Sequence, residues 1–296
     1  MNIYDYLKRI DWESTGLPFP QNDIPSLEGI HLRHVLTFPF ENLDVFLTGQ
    51  VSLVPQRLWN KLVDSRRGGW CFEMNGLLDL VLRELGFKIR PLMARNLMAP
   101  GKPRTHEVLL VETQGQVFLT DTGFGGTVLR KPFLFQENRV ENHHGLDFKL
   151  IKRLGEAPGT PWEEPPLWVL QTKKEGQWAD LYGFTLEPFE TQDFSVANHF
   201  HTTGEASSFL QARLVNKALT DGRLSLVDLT LRRYLYTPQG ENKISEKIIS
   251  TPEELQIVLE EKFDLELTLG QAITLYEKKT PPAQIDSGFF LLSQER

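Results

Sequence analysis

Hydrophobic positions in the first 86 residues repeat with helical spacing. Apolar side chains in residues 3–10 fall on one helical face, and those in residues 27–34 fall on another. In residues 77–85 leucines and valine recur at intervals of one and three, and Gly86 follows as a stop signal. The pattern therefore predicts that residues 1–86 form a helical bundle.

After residue 86 the period of the pattern shortens to that of β-strands. Short β-rich runs are separated by Gly, Pro, Asn and Gln: FKIRPLMA, HEVLLV, QVFLTD, FKLIKRL, PLWVLQT and WADLYGF. Such runs are typical of an antiparallel sheet or barrel, which we expect over residues 87–192.

The last third of the chain mixes both kinds of pattern. SSFLQARLV, RLSLVDLTLRRYLY and KISEKIIS resemble strands, whereas TPEELQIVLEEKF predicts a helix with Thr251 as its N-cap and Glu254 completing a capping box. Residues 193–296 are thus predicted to form an α/β unit. The predicted fold class is α+β, in the order helical bundle, β-barrel and α/β unit.

Composition and charge narrow the class of protein. The chain has 296 residues, of which 40% are hydrophobic and 24% charged, as in ordinary globular proteins. Its net charge of −7 argues against a nucleic-acid partner, which would favour a basic patch. MNIYDYLKRIDWE lacks the apolar core of a signal peptide, and no apolar run reaches the roughly 20 residues of a membrane span. One cysteine cannot form an internal disulfide, so a cytoplasmic location is expected; the oligomeric state stays open.

That single cysteine lies in RRGGWCFEMNGLL, residues 66–78. A lone cysteine is more often a small buried hydrophobic residue than a nucleophile. Here, however, Gly68 and Gly69 permit a close backbone approach, and the helix that follows places Cys71 in or just before its first turn. Unpaired N–H groups at a helix start favour a thiolate, and Arg66 and Arg67 add positive charge nearby. These surroundings indicate a nucleophile.

A nucleophilic cysteine needs a base, and the base needs an orienting group. Six of the seven histidines lie at less suitable places: residues 31 and 34 on a helix, 143 and 144 in an exposed loop, 199 and 201 beside an irregular segment. His106 opens the strand HEVLLV, and the next strand, QVFLTD, ends in Asp121. A simple hairpin across ETQG would set His106 and Asp121 opposite one another, within a residue, where a hydrogen bond is in reach. The sequence therefore suggests a Cys71–His106–Asp121 triad.

The glycine-rich segment DTGFGG follows Asp121 directly. Its exposed backbone N–H groups can line a ligand site, and we expect Gly125, Gly126 and Thr127 to contribute to it. The segment is no Walker loop, because GKS or GKT is absent. A metal site is not expected, since the cysteine belongs to no Cys-x-x-Cys pair and His143 and His144 are adjacent rather than four apart.

With these motifs the sequence resembles the arylamine N-acetyltransferases. RGGWCFEMNGLL is similar to that family's signature around its acyl-accepting cysteine, THEVLLV to the segment with the catalytic histidine, and DTGFGG to the one with the aspartate, where valine is usual in place of Thr122. FPFENLD resembles the PFENL motif, and DFSVANHFHTTGEASSF the segment that carries coenzyme A contacts. The resemblance covers almost the whole chain. One departure is TTGE at residues 202–205, where bacterial members often have STHP.

The resemblance implies an architecture and a set of roles. The family consists of a helical bundle, a β-barrel and an α/β lid, with a Cys–His–Asp core similar to that of papain-like proteases and transglutaminases. It implies an ion pair of Glu41 with Arg67, and coenzyme A contacts at Phe200, Ser208 and also Phe209. Phe40 and Phe124 should help to form an apolar acceptor pocket, to which we also assign Phe209, because an aromatic amine offers mostly flat apolar surface.

The implied activity is ping-pong acetyl transfer from acetyl-CoA, as co-substrate, to arylamines, arylhydrazines or N-hydroxyarylamines, without a metal or tightly bound cofactor. Three alternatives remain. An amide synthase could release or cyclise a carrier-bound polyketide chain with the same triad. A cysteine hydrolase or transglutaminase-like enzyme would act without coenzyme A. A non-catalytic ligand-binding relative is disfavoured, because all three triad positions are filled.

Overall fold

The computed structural model describes residues 1–99, 101–154, 165–237 and 240–277. Its architecture is α+β, as the sequence predicts, with helices first, an antiparallel sheet next and a mixed C-terminal part. The predicted C-terminal unit extends to residue 296, but its residues 238, 239 and 278–296 lie outside the described part of the chain.

The regular secondary structure of the first 84 residues is helical apart from one short strand. The α-helices are α1 (Ile3–Arg9), α2 (Ile24–Thr37), α3 (Leu43–Leu47), α4 (Pro55–Trp59) and α5 (Cys71–Glu84), with a 3₁₀ turn at Trp12–Thr15 and a π-helical turn at Asn60–Asp64. Strand β1 (Phe40–Glu41) lies between α2 and α3. Asn2 and Asp23 cap α1 and α2 by accepting backbone N–H groups with their side chains.

Eight strands form one antiparallel sheet that curls into a near-closed barrel, which confirms the predicted central barrel. They are β2 (Lys88–Asn96), β3 (Arg104–Thr113), β4 (Gln116–Thr120), β5 (Phe133–Leu134), β6 (Val140–His143), β7 (Leu146–Arg153), β8 (Leu167–Lys174) and β9 (Gln177–Phe184). Their order in the sheet is β5-β4-β3-β2-β9-β8-β7-β6. Strand β3 has two buried faces: Val108 and Leu110 belong to the barrel's own core, whereas Leu109 and Val111 pack with the helices.

The C-terminal part begins with helix α6 (Thr191–Thr203), which runs across the predicted boundary between residues 192 and 193. It continues with a 3₁₀ turn (Ser208–Leu210), strands β10 (Leu214–Leu219), β11 (Gly222–Val227), β12 (Thr230–Thr237) and β13 (Gly240–Ile248), and helices α7 (Pro252–Phe263) and α8 (Leu269–Glu277). These strands and β1 form a second antiparallel sheet in the order β1-β10-β11-β12-β13. The helical bundle and the C-terminal part therefore share a sheet and one apolar core. The division into three domains stays a prediction.

Some local predictions differ from the structure. The strand expected for SSFLQARLV begins only at Leu214, because its first half forms the 3₁₀ turn. Helix α6 replaces the irregular segment expected around His199 and His201. His143 lies in β6 and is fully buried rather than in an exposed loop. In the described part of the chain, no helix combines the length and the apolar character needed to span a membrane.

Candidate active site

Cys71 is the first residue of helix α5, and two glycines let the chain around it pack closely. The segment before the helix lies parallel to β1, with the N–H of Gly69 bound to Pro39 and the N–H of Glu41 bound to the carbonyl of Gly69. A Cβ atom on Gly68 would lie 2.0 Å from the carbonyl oxygen of Pro39. From the other side, a Cβ on Gly123 would lie 2.6 Å from the Cα of Cys71. Glycine at both positions thus brings β1 and the DTGFGG turn against the cysteine.

His106 and Asp121 meet next to Cys71, although not by the expected register. The β3–β4 hairpin turns at Gln114 and Gly115, both with positive φ, and pairs Thr113 with Gln116. Extended to the strand end, this register puts Asp121 two residues away from His106 rather than within one, so the predicted alignment is wrong. A shift of two keeps both side chains on one face of the sheet. His106 Nε2 lies 2.7 Å from Asp121 Oδ2.

Asp121 is buried and accepts hydrogen bonds from several sides. Its Oδ1 accepts the side-chain amide of Asn75 at 2.9 Å and the backbone N–H of Gly123 at 2.9 Å. Burial by itself would raise the pKa of Asp121, but the charge and hydrogen bond of His106, with these two donors, hold that pKa below its ordinary value. Asp121 is therefore ionised near neutral pH.

Asn75 links the helix of the cysteine to the carboxylate. It stands four residues after Cys71 on α5, and its amide also donates to the carbonyl oxygen of Glu107. Its own oxygen accepts both the backbone N–H and the hydroxyl of Thr122, at 2.9 and 3.0 Å. The threonine that departs from the family's valine therefore adds a hydrogen bond to this network. The helical i, i+4 spacing from Cys71 was a signal by which Asn75 could have been found.

The surroundings of the Cys71 thiol differ from those that its flanking residues predict. Its Sγ donates to the carbonyl oxygen of Thr105, 3.7 Å away, and not to the imidazole of His106. Burial raises the pKa of the Cys71 thiol above its usual range; backbone hydrogen bonds from Glu107 and Phe72 oppose this effect. Burial therefore opposes the thiolate that the flanking residues favour, and the expectation of a thiolate stays a prediction.

Arg67 turns away from the cysteine into a buried ionic network. Its Nη2 lies 2.6 Å from Glu41 Oε1 and 2.9 Å from Asp44 Oδ1, so the pair implied by the resemblance is present as a contact. Lys61 extends the network to Asp44 and Glu73, at 2.8 and 2.7 Å. Glu73 in turn accepts the N–H of Trp70, the residue before Cys71. The carboxylates neutralise the arginine, and the network instead anchors the loop that leads to Cys71.

We expect Arg67→Met to destabilise the protein strongly. The substitution leaves Glu41, which is fully buried, without its closest cation, and removing one partner of a buried pair costs about 3–5 kcal/mol. Chemical denaturation monitored by circular dichroism would measure the loss. Arg153→Met is the matched control, because Arg153 pairs with Asp180 on the protein surface, where such pairs contribute about 0–1 kcal/mol. Similar losses in both variants would contradict a structural role for the buried pair.

A small cavity of about 50 Å³ opens beside the reactive groups. Cys71 and His106 line it, and so do five of the residues assigned to substrate and coenzyme A: Phe40, Phe124, Phe200, Ser208 and Phe209. Apart from these, its wall includes Thr105, Gly123 and His201. Asp121 stands behind His106, away from the cavity wall.

Gly125, Gly126 and Thr127 are not part of this cavity wall. Gly125 has a φ of +95° and packs against the ring of Phe40, and Thr127 is buried. Gly126 faces the guanidinium group of Arg223, whose Cζ would lie 3.8 Å from an added Cβ. Arg223 is itself bound to Glu241. The assignment of this turn to coenzyme A stays a prediction.

His201 belongs to the site although its sequence context did not single it out. Its Nε2 lies 2.8 Å from the carbonyl oxygen of Thr105, the same oxygen that accepts the thiol of Cys71. Its ring is surrounded by Trp70, Phe72 and Phe209. If the segment before residue 203 had been predicted as a helix, its inward face would have carried Phe194, Ala197, Asn198 and His201.

Three comparisons relate the chain to known proteins. The family model described as N-acetyltransferase matches residues 23–272. The arylamine N-acetyltransferase of Escherichia coli (strain K12) is 32% identical over 264 residues, which cover 88% of this chain and 87% of that protein. The crystal structure of Nocardia farcinica arylamine N-acetyltransferase is similar with a TM-score of 0.81 and 30% identity, covering 97% of this chain and 95% of that one.

A further similar structure is a complex with coenzyme A. It is Mycobacterium marinum arylamine N-acetyltransferase in complex with CoA, with a TM-score of 0.78 and 26% identity. The match covers 94% of this chain and 99% of that one.

Proposed function

The chain belongs to the arylamine N-acetyltransferase family, and from this premise we propose that it transfers an acetyl group from acetyl-CoA to arylamines, arylhydrazines or N-hydroxyarylamines through a thioester on Cys71. The observation that carries the proposal is that Cys71 and His106 line one apolar cavity, while Asp121 binds His106 from behind the cavity wall. A nucleophile, a base and an orienting carboxylate are the groups that acyl transfer by covalent catalysis requires.

The first half-reaction loads the cysteine. Because Nε2 of His106 is bound to Asp121, the other ring nitrogen is left to take the proton of the thiol. The sulfur anion attacks the carbonyl carbon of acetyl-CoA, the bond to the coenzyme's sulfur breaks, and coenzyme A leaves with a proton from His106. One thioester replaces another of about the same energy, so the acetyl group can be passed on readily.

The second half-reaction removes the acetyl group from Cys71. The nitrogen or oxygen of the acceptor attacks the acetyl carbonyl of Cys71, loses a proton to His106, and the regenerated sulfur anion recovers that proton. Phe40, Phe124 and Phe209 line the cavity from different elements and offer apolar faces to an aromatic ring. This arrangement supports an aromatic acceptor.

Mass spectrometry of the intact protein tests the proposal. After incubation with acetyl-CoA we expect one acetyl adduct, located on Cys71 by peptide mapping, and its discharge when an arylamine is added. Hydrolysis or cross-linking without coenzyme A would favour the hydrolase or transglutaminase-like alternative. Loading only from a carrier-bound acyl chain would favour the amide synthase.

The phosphates of coenzyme A are proposed to bind near the DTGFGG turn. Backbone N–H groups in such turns can donate hydrogen bonds to phosphate oxygens and so stabilise part of the negative charge. Arg223 supports this position with a cationic group beside Gly126, although Glu241 already pairs with it. Phe200 and Ser208, on the cavity wall, would then contact the pantetheine arm.

Gly126→Val should weaken the binding of acetyl-CoA far more than it slows alkylation of Cys71 by iodoacetamide. The backbone tolerates a side chain at residue 126, since nothing lies closer than 3.8 Å to the added Cβ, so the fold should persist. We expect the KM for acetyl-CoA to rise about tenfold or more, the effect of one or two lost hydrogen bonds to a charged group. Steady-state kinetics and alkylation rates measure the two effects separately. Equal losses in both assays, or none in either, would remove the turn from the cofactor site.

A further inference from the structure

One backbone carbonyl lies between two side chains of the candidate site. The oxygen of Thr105 accepts Nε2–H of His201 at 2.8 Å and the thiol of Cys71 at 3.7 Å. A carbonyl oxygen only accepts, so Nε2 of His201 carries the hydrogen and Nδ1 is the bare nitrogen. Thr105 directly precedes His106, and this carbonyl therefore connects the nucleophile, its base and helix α6.

His201 is held firmly in this place. Its ring packs edge-on against Phe209 with centroids 4.6 Å apart, and it contacts Trp70 and Phe72, the two neighbours of Cys71. Burial lowers the pKa of His201 to about 4, against the opposing effect of the bond to Thr105. The imidazole is therefore neutral at working pH and acts through its N–H group rather than through a charge.

From this arrangement we infer that His201 is a positioning residue that eases removal of the thiol proton by occupying the carbonyl of Thr105. The inference rests on the proposed role of Cys71 as nucleophile. An oxygen that already accepts a strong N–H donor holds a second, weak S–H donor less tightly, so the thiol is freer to turn towards His106. Once the proton has left, the N–H group also reduces the repulsion between the sulfur anion and the carbonyl dipole.

Other ionisable groups act on the same sulfur and have to stay constant in a test. Glu107 on β3 and Asp121 after β4 act on it electrostatically, and His106 and Lys102 line the same cavity as Cys71. Buried Glu107 and Asp121 disfavour the sulfur anion. A substitution at residue 201 leaves all four in place.

The pH dependence of Cys71 alkylation by iodoacetamide provides the test. In His201→Leu, which keeps apolar packing but has no donor, we expect the midpoint of the alkylation profile to rise by about 0.5–1 pH unit. Below the midpoint this makes alkylation about three- to tenfold slower, the effect of one hydrogen bond. His201→Gln retains an N–H group and should return the midpoint towards that of the unsubstituted protein.

His199→Leu is the matched control, because His199 lies on the same helix, is exposed and bonds to Thr203. We expect no shift of its midpoint. Equal midpoints in His201→Leu and the unsubstituted protein would overturn the inference. So would equal shifts in the Leu and Gln variants, which would assign the effect to packing, or a shift in His199→Leu.

The alkylation assay uses no acetyl-CoA and therefore separates this inference from the proposed function. If the unsubstituted protein takes no acetyl group on Cys71, the proposed function fails. The comparison of midpoints still reports whether His201 acts on the thiol.

Discussion

Cys71→Ser should abolish acetyl transfer while leaving the fold intact. A hydroxyl gives up its proton far less readily than a thiol, so the nucleophile is lost even with His106 and Asp121 in place. We expect turnover to fall by about 10⁴-fold or more, in line with removal of a covalent nucleophile in other enzymes. Single-turnover assays with acetyl-CoA and an arylamine measure the loss, and intact mass shows whether any acetyl group is retained.

The serine variant is a fair test because its structural cost is small. The residue is 3% exposed, and a serine hydroxyl can still donate to the carbonyl oxygen of Thr105. Thermal unfolding should therefore remain close to that of the unsubstituted protein. Substantial turnover by folded Cys71→Ser would rule out the thioester on this residue.

Asp121→Asn should lower turnover by about 10⁴-fold, the scale of the loss when the triad aspartate of a serine protease is replaced by asparagine. Both oxygens of Asp121 accept hydrogen bonds, Oδ2 from His106 and Oδ1 from Asn75 and Gly123. An amide presents an NH₂ group to one of these donors. If that donor is His106, the imidazole has to change tautomer and can no longer take the thiol proton.

The kinetics of Asp121→Asn distinguish a loss of the correct His106 orientation from a loss of the fold. The variant should bind acetyl-CoA with little change and fail in formation of the acetyl-enzyme, which stopped-flow single-turnover kinetics would resolve. Asp180→Asn serves as the control, since Asp180 lies in the same barrel but pairs with Arg153 at the surface. Near-normal acetylation of Cys71 in Asp121→Asn would make Asp121 a structural residue.

The sequence alone determined the parts of this site that depend on local signals. Two glycines followed by a helical pattern were sufficient to place Cys71 at a helix start, and the structure begins α5 at that residue. Short apolar runs on both sides of ETQG predicted the hairpin that carries His106 and leads to Asp121. The resemblance added the contact of Glu41 with Arg67. Each of these predictions follows from a short stretch of the sequence or from a motif.

Only the tertiary structure decided which groups surround the cysteine. The two arginines suggested a thiolate, but Arg67 is neutralised by Glu41 and Asp44, residues more than 20 positions away in the chain. Burial between helix, barrel and α6 raises the thiol pKa instead, and the thiol donates to Thr105. The pKa of a group depends on desolvation and on charges that are near in space, which a local pattern does not record.

The same reason explains why the sequence did not reveal the role of His201 or the register of the hairpin. His201 stands 96 positions from the carbonyl that it binds, and its helix was hidden by weak amphipathic patterning. The register was decided by a two-residue turn with positive φ at Gln114 and Gly115, a choice that the sequence leaves open among several turn lengths. Sequence periodicity therefore determined which elements form, while packing between elements distant in the chain determined which atoms of the site meet.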